Sequence, residues 1–143
     1  MAALRGLGIL ALAWAAAGQG STPEVYKGLE LTVKTVERAK NVSLQDCPPG
    51  ENIVRGVIRP TESNEFATIA VDVKVLPSFE PVPLEKAVLY DDAGKVYKTA
   101  QSFGDMKAQP SYTCTFSFRV PQGVKLARFA IGEASFDVSA LEK

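Results

Sequence analysis

The stretch that decides the fold is residues 112–120, which read YTCTFSFRV. Apolar side chains alternate there with polar ones, and a period of two places the two sets on opposite faces of an extended strand. The side chains predicted to face inward are Tyr112, Cys114, Phe116, Phe118 and Val120. Those predicted to face water are Thr113, Thr115, Ser117 and Arg119. The stretch therefore predicts a β-strand with one buried face and one wet face.

Similar segments lie elsewhere in the chain. Residues 66–76 repeat the alternation, with an apolar face of Ile69, Val71, Val73 and Val75. Residues 27–36 fit both a strand and a helix, and their β-branched side chains favour the strand. Further strands are predicted at residues 53–59, 87–90, 95–98, 125–131 and 134–138. Ser139 is predicted to cap a last helical turn.

Turn residues separate these short segments. Asp91-Asp92-Ala93-Gly94 lies between two of them and predicts a β-hairpin, because aspartate opens turns and glycine takes a positive φ. Seven or eight short strands without a long helix predict an all-β fold, an antiparallel sandwich or a barrel.

Composition limits the possible functions. The 143 residues suit one domain with a packed core, since 46% of them are hydrophobic. Sixteen basic and sixteen acidic side chains give no net field to attract nucleic acid. The chain has no histidine, which excludes Ser-His-Asp and Cys-His catalysis and histidine-bound metals. We expect a protein that is not an enzyme and that holds no cofactor.

Residues 1–20, MAALRGLGILALAWAAAGQG, have the features of a secretory signal peptide. Arg5 precedes an apolar run at residues 7–17, which is too short for a permanent membrane span, although a buried N-terminal helix is an alternative. The predicted cleavage follows Ala17 or Gly20. Residues 21–143 would then form a secreted or periplasmic domain without a membrane span.

The two cysteines, Cys47 and Cys114, are predicted to form a disulfide, because an even number in an exported chain favours pairing. Two unpaired buried thiols, a reactive thiol and a two-thiolate metal site are the alternatives. The last two are disfavoured because thiolate activation needs a nearby cation and structural zinc needs four ligands.

Acidic and basic side chains elsewhere have simple structural interpretations. Asp91 and Asp92 could contribute to a calcium site, but hairpin turn chemistry explains both. Glu62 and Glu65 could form a catalytic carboxylate pair, but a solvated loop is the favoured interpretation. The sequence predicts no metal ligands and no catalytic residues.

Two other charged or polar features lie between residues 30 and 43. Lys34, Arg38 and Lys40 are interleaved with two glutamates, which indicates a solvated face. Residues 41–43, Asn-Val-Ser, form an N-glycosylation triplet that has meaning only in a eukaryotic source.

Four segments together resemble the telokin-like, immunoglobulin-like domains of secreted bacterial proteins of unknown function. They are LELTVKTVERAK (29–40), ATIAVDVKV (67–75), DDAGKVY (91–97) and FSFRVPQGVKLARFAI (116–131). The resemblance covers most of residues 27–131, although the chain lacks the buried tryptophan of antibody domains. It implies an antiparallel immunoglobulin-like β-sandwich with an extracytoplasmic binding or scaffolding role, and it implies no catalytic residues.

Two loops with apolar residues in polar surroundings are candidates for recognition. Phe79 lies in residues 77–86, and Phe103 and Met106 lie in residues 100–111. Exposed aromatic and methionine side chains on loops are good recognition contacts. The alternative, which we favour for the two phenylalanines, is that they close the ends of the sandwich core.

The sequence therefore predicts a secreted or periplasmic binding or scaffolding module that uses its loops to recognise a protein or cell-surface ligand. Nucleic acid is not an expected partner. The alternative function is a carrier of small apolar ligands, with the strands closed into a barrel around a cavity.

Overall fold

The computed structural model describes residues 20–50, 54–58 and 62–142, which form ten β-strands and no helix. The predicted signal peptide, apart from Gly20, lies outside the described residues. The strands are β1 (Glu24–Tyr26), β2 (Leu29–Ala39), β3 (Val42–Gln45), β4 (Val54–Ile58), β5 (Asn64–Val75), β6 (Ala87–Asp91), β7 (Val96–Lys98), β8 (Ser111–Pro121), β9 (Leu126–Ile131) and β10 (Ala134–Asp137). The all-β prediction is confirmed.

Eight of these strands form two four-stranded sheets that pack face to face as a sandwich. The first sheet has the order β1-β2-β5-β8 and the second has the order β10-β9-β6-β7. Every pair within them is antiparallel. Strands β3 and β4 form a separate antiparallel pair. The described strands thus form two packed four-stranded sheets and one separate pair, so that the fold is a sandwich and not a closed barrel.

Strands β2, β5 and β8 form the longest ladder, and their register produces the buried face. Val71 of β5 lies between Val33 of β2 and Cys114 of β8. The register of β2 shifts after Val33, so that Val33 and Val36 are both fully buried. Such a bulge changes which face a side chain points to. It explains why the spacing of apolar residues in β2 also fitted a helix.

Several sequence predictions need correction. Ser117 lies on the predicted wet face of β8 but is only 6% exposed. The predicted helical turn near Ser139 is a hydrogen-bonded turn, in which Asp137, and not Ser139, accepts the capping bond. The short strands β1 and β3 were not predicted from the sequence.

Phenylalanine side chains fill the space between the two sheets. The ring of Phe129 lies 5.7 Å from that of Phe116 and 6.1 Å from those of Phe118 and Phe136, measured between centroids. All four are almost completely buried. Aromatic pairs at these separations stabilise a core beyond the area they bury. The chain therefore uses large rings from both sheets to form one continuous core.

Arg38 does not lie on a solvated face, and Glu65 does not lie in a solvated loop. The Arg38 guanidinium pairs with Glu65 at 2.8 Å and with Glu142, and it also donates to the carbonyl of Val124. The Glu65 carboxylate also accepts from the backbone N–H of Gly123 at 2.9 Å. These bonds join β2, β5, the β8–β9 turn and the C-terminal segment. We name this group of residues the Arg38 network.

The outer edge of β8 is partly closed by the side chain of Gln101, which is 2% exposed. Its amide oxygen accepts from the backbone N–H of Ser117 at 2.7 Å, and its amide nitrogen donates to the backbone carbonyl of Thr115. The same nitrogen donates to the carbonyl of Gln45 at 2.6 Å. An unpaired strand edge is a site for unwanted pairing. Gln101 thus takes the place of a neighbouring strand at this point.

Candidate functional site

The two loops predicted as recognition elements meet and form the walls of one cleft. We refer to residues 77–86 as the first loop and residues 100–111 as the second loop. The cleft has a volume of about 470 Å³. Its lining residues are Phe79, Pro81, Val82, Pro83, Leu84, Lys86, Ser102, Phe103, Gly104, Asp105 and Met106. The structure therefore brings Phe79, Phe103 and Met106 together, although the sequence places them in two separate loops.

Phe79 forms part of the floor of the cleft and is 4% exposed. It follows a tight turn in which its backbone N–H donates to the carbonyl of Leu76 at 3.0 Å. Gly28, with a φ of 84°, lies against the backbone of Phe79, where a Cβ atom would overlap. The Nζ atom of Lys107 lies 5.8 Å from the ring centroid, so that the second loop covers this side chain. Phe79 is therefore a buried core residue, but it lies at the same cleft as Phe103, whereas the favoured prediction placed the two rings at different ends of the core.

Phe103 is half-buried, and its ring packs edge to face on that of Phe116 with 5.8 Å between centroids. Its backbone position is fixed by the residues on either side. Cys47 donates its N–H to the carbonyl of Ser102 at 3.0 Å, and the N–H of Gly104 donates to the carbonyl of Cys47 at 2.7 Å. One side of the Phe103 ring therefore contacts the core, and the residue also lines the cleft.

Met106 completes the floor and is 4% exposed. The hydroxyl of Tyr112 donates to the backbone carbonyl of Met106 at 2.9 Å and lies 3.5 Å from its Sδ atom. Burial, together with the charge of Asp105, raises the pKa of Tyr112 to about 12. The hydroxyl therefore stays protonated at neutral pH and keeps donating to Met106.

The predicted disulfide between Cys47 and Cys114 is confirmed, with 5.5 Å between the Cα atoms. It fixes the connection after β3 to the centre of β8. Ser102 strengthens the same region, because its N–H donates to a carboxylate oxygen of Asp46 at 2.8 Å. The second loop is thus held by hydrogen bonds to Asp46 and Cys47, and the disulfide fixes Cys47 itself to β8.

The first loop forms the outer wall and has fewer backbone bonds than the second loop. The Nζ atom of Lys27 donates to the carbonyl of Pro83 at 3.1 Å, and the N–H of Glu85 donates to the hydroxyl of Tyr26 at 3.1 Å. Val82 is 41% exposed beside the cleft. The prolines hold this segment extended, because each fixes its own φ and restricts the residue before it.

The first loop was predicted from the sequence as a recognition element, but the sequence did not show which of its side chains would line the cleft. The run Pro81-Val82-Pro83 was the available signal, since alternating prolines favour an extended segment with solvated backbone. Asp105 and Lys86 add two opposite charges to a mostly apolar surface. The Asp105 carboxylate accepts the backbone N–H of Lys107 at 3.0 Å, which stabilises the local turn.

The hairpin prediction for Asp91 is confirmed. Its carboxylate accepts from the backbone N–H groups of Ala93 and Lys95, both at 2.9 Å, and from the hydroxyl of Tyr97 at 2.8 Å. The bond from Tyr97, followed by that from Lys95, lowers the pKa of Asp91. Burial, with the charge of Asp91, raises the pKa of Tyr97 to about 12. Asp91 therefore stabilises the turn between β6 and β7.

Across residues 20–50, 54–58 and 62–142, no three acidic or cysteine side chains are grouped closely enough to hold a metal ion. Within those same ranges, no helix is long and apolar enough to cross a membrane.

Comparison with known proteins did not identify a family. No protein-family model, curated protein or solved structure matches this chain.

Proposed function

We propose that this chain is a non-catalytic, immunoglobulin-like binding module that acts outside the cytoplasm. Its binding site is the cleft between the two loops, and its ligand is a short, extended, apolar segment of a partner protein. The observation that supports this proposal is the convergence of Phe79, Phe103 and Met106 at one cleft.

The shape of the cleft favours an extended segment over a compact ligand. The first loop runs along one side, and its exposed side chain Val82 offers an apolar contact. Phe103 faces it from the second loop. An apolar side chain of the ligand would insert between the two loops and gain the transfer free energy of its buried area.

Rigidity of the floor supports a binding role for this cleft. Phe79 and Met106 are part of the packed core, and Phe103 rests on Phe116. A preformed floor loses little conformational entropy when a ligand binds, which favours affinity. The more weakly held first loop could adjust to ligands of different width.

The disulfide supports the proposed location. Disulfides persist in oxidising compartments such as the periplasm and the extracellular space. The Cys47–Cys114 bond is therefore consistent with export, which residues 1–20 predict.

Selection from a displayed library of random linear peptides would test this function. Peptides enriched on the wild-type protein would be measured against Val82→Asp, which places a charge beside the cleft. Val96→Asp is the matched control, because Val96 is 43% exposed, close to the 41% of Val82, and lies on β7 outside the cleft. We expect Val82→Asp to weaken binding by about tenfold or more and Val96→Asp by less than about twofold.

Two outcomes would contradict the proposal. The first is a selection that enriches no linear peptide. The second is a set of peptides whose affinity falls equally in the two variants, because such peptides would bind outside the cleft.

A further inference from the structure

A second surface feature lies at the other end of the sandwich, in the connection between β2 and β3. Residues 41–43 read Asn-Val-Ser and form the only N-x-Ser/Thr triplet of the sequence. Asn41 is exposed and directly precedes β3. We propose that Asn41 is an acceptor for N-linked glycosylation.

The strand geometry presents both chemical groups of the triplet to solvent. Ser43 is exposed and Val42 is partly buried, as expected where side chains alternate along β3. Asn41, two residues before Ser43, is exposed as well. An oligosaccharyltransferase must reach the Asn41 amide and the Ser43 hydroxyl together, and this arrangement leaves both accessible.

Asn41 lies away from the Phe79 side of the cleft. Gly28, just before β2, contacts Phe79 in the floor of the cleft. Asn41 lies beyond the opposite end of β2, which is 11 residues long. At about 3.3 Å per residue, this strand separates Gly28 from Asn41 by roughly 36 Å. The Phe103 side of the cleft is nearer to Asn41, because the backbone of Cys47 pairs with Ser102 and Gly104 on either side of Phe103.

The donor is a lipid-linked diphosphate oligosaccharide. The Nδ2 atom of Asn41 bonds to C1 of the first sugar while the bond from C1 to the diphosphate oxygen breaks. Nδ2 loses one proton, and the lipid diphosphate leaves with the electron pair of the broken bond. No oxidant or reductant takes part.

Cell-free translation of the full chain with endoplasmic-reticulum microsomes would test the site. We expect protease-protected protein to carry one glycan, seen as a single gel shift that peptide N-glycosidase removes. Asn41→Gln and Ser43→Ala should each abolish the shift, whereas Ser43→Thr should keep it. Asn41→Gln and Ser43→Ala change different residues of the triplet. A folding defect in one of them therefore does not determine the outcome for the other.

Protected protein without a glycan would overturn the proposal, as would a glycan that persists in Asn41→Gln. Failure of the chain to become protease-protected would overturn it too, because Asn41 would never meet the transferase. Peptide selection on unglycosylated protein tests the cleft independently, so that the two proposals can fail separately.

Discussion

The side-chain oxygen of Gln101 accepts a hydrogen bond from the backbone N–H of Ser117 at 2.7 Å, at the edge of the first sheet. The Gln101 amide therefore acts as a short substitute for a fifth strand. Gln101 lies two positions before Phe103 in the sequence, and Phe103 is the half-buried residue that lines the cleft. The stability of the sheet edge and the position of the second loop thus depend on the same side chain.

Gln101→Leu should destabilise the fold by about 3 kcal/mol, because it leaves a buried N–H and two carbonyl groups without their partner. The measurement is the free energy of unfolding in urea. Gln122→Leu is the control, since Gln122 lies in the exposed β8–β9 turn and should change stability by less than about 0.5 kcal/mol. Equal effects of the two variants would contradict the role of Gln101.

Replacement of both cysteines by alanine should lower stability by about 4 kcal/mol, because the disulfide closes a long loop in the unfolded chain. The sequence separation of Cys47 and Cys114 is 67 residues. Urea unfolding of the variant and of the oxidised protein gives the difference. Detection of two reactive thiols in unfolded, non-reduced protein would show that the bond does not form.

Arg38→Met should cost about 2 kcal/mol at neutral pH, between the values for exposed and fully buried ion pairs. It leaves Glu65 and Glu142 without their shared cation. Lys34→Met is the control, because Lys34 and Asp72 form an exposed pair 3.8 Å apart. Hydrogen exchange should also increase at residues 138–142 in the Arg38 variant alone. Unchanged exchange there would argue against the Arg38 network as an anchor of this segment.

Stability should fall in acid partly through Glu65. The backbone N–H of Gly123, aided by Arg38 and opposed by burial, holds the pKa of Glu65 below its usual value of 4.5. The stabilisation is therefore complete above pH 4.5 and is lost as the pH falls through the lower folded-state pKa. Urea midpoints between pH 6 and pH 3 should decline less steeply in Glu65→Gln. If the urea midpoints of the wild type and of Glu65→Gln fell equally with pH, Glu65 would not contribute to the loss of stability in acid.

Phe79→Ala should destabilise the protein by about 3 kcal/mol or more, because Phe79 is a core residue. Phe103→Ala should cost about 2 kcal/mol, since its half-buried ring contacts the core on one side only. Thermal and urea unfolding of the two variants measure the two losses of stability. A loss of more than about 3 kcal/mol for Phe103→Ala would make it a core residue and remove it from the binding site.

The sequence predicted most of the sandwich because burial imposes a period of two on strands such as β5 and β8. The prediction of strands failed where the alternation of apolar and polar side chains was absent or interrupted. Strand β1 has only three residues, and the bulge after Val33 changes the phase of β2. No strand pattern could show that Ser117 is covered, because the covering group is the distant Gln101.

The candidate site was predicted in part. Phe79, Phe103 and Met106 stood out because apolar residues are unusual in polar loops. Their meeting at one cleft depends on long-range contacts that a single sequence does not display. The Arg38 network was missed for the same reason, since Arg38 and Glu142 are 104 residues apart.

The disulfide also gives the molecule a covalent ring, because residues 47–114 are closed by the bond between Cys47 and Cys114. Both loops of the cleft lie inside this ring. Exposed loops are preferred sites of proteolytic cleavage, and the first loop is such a segment. One cut within it would leave a single molecule under oxidising conditions and release two fragments only after reduction. A protease could therefore free one wall of the cleft to move while the binding module stays in one piece.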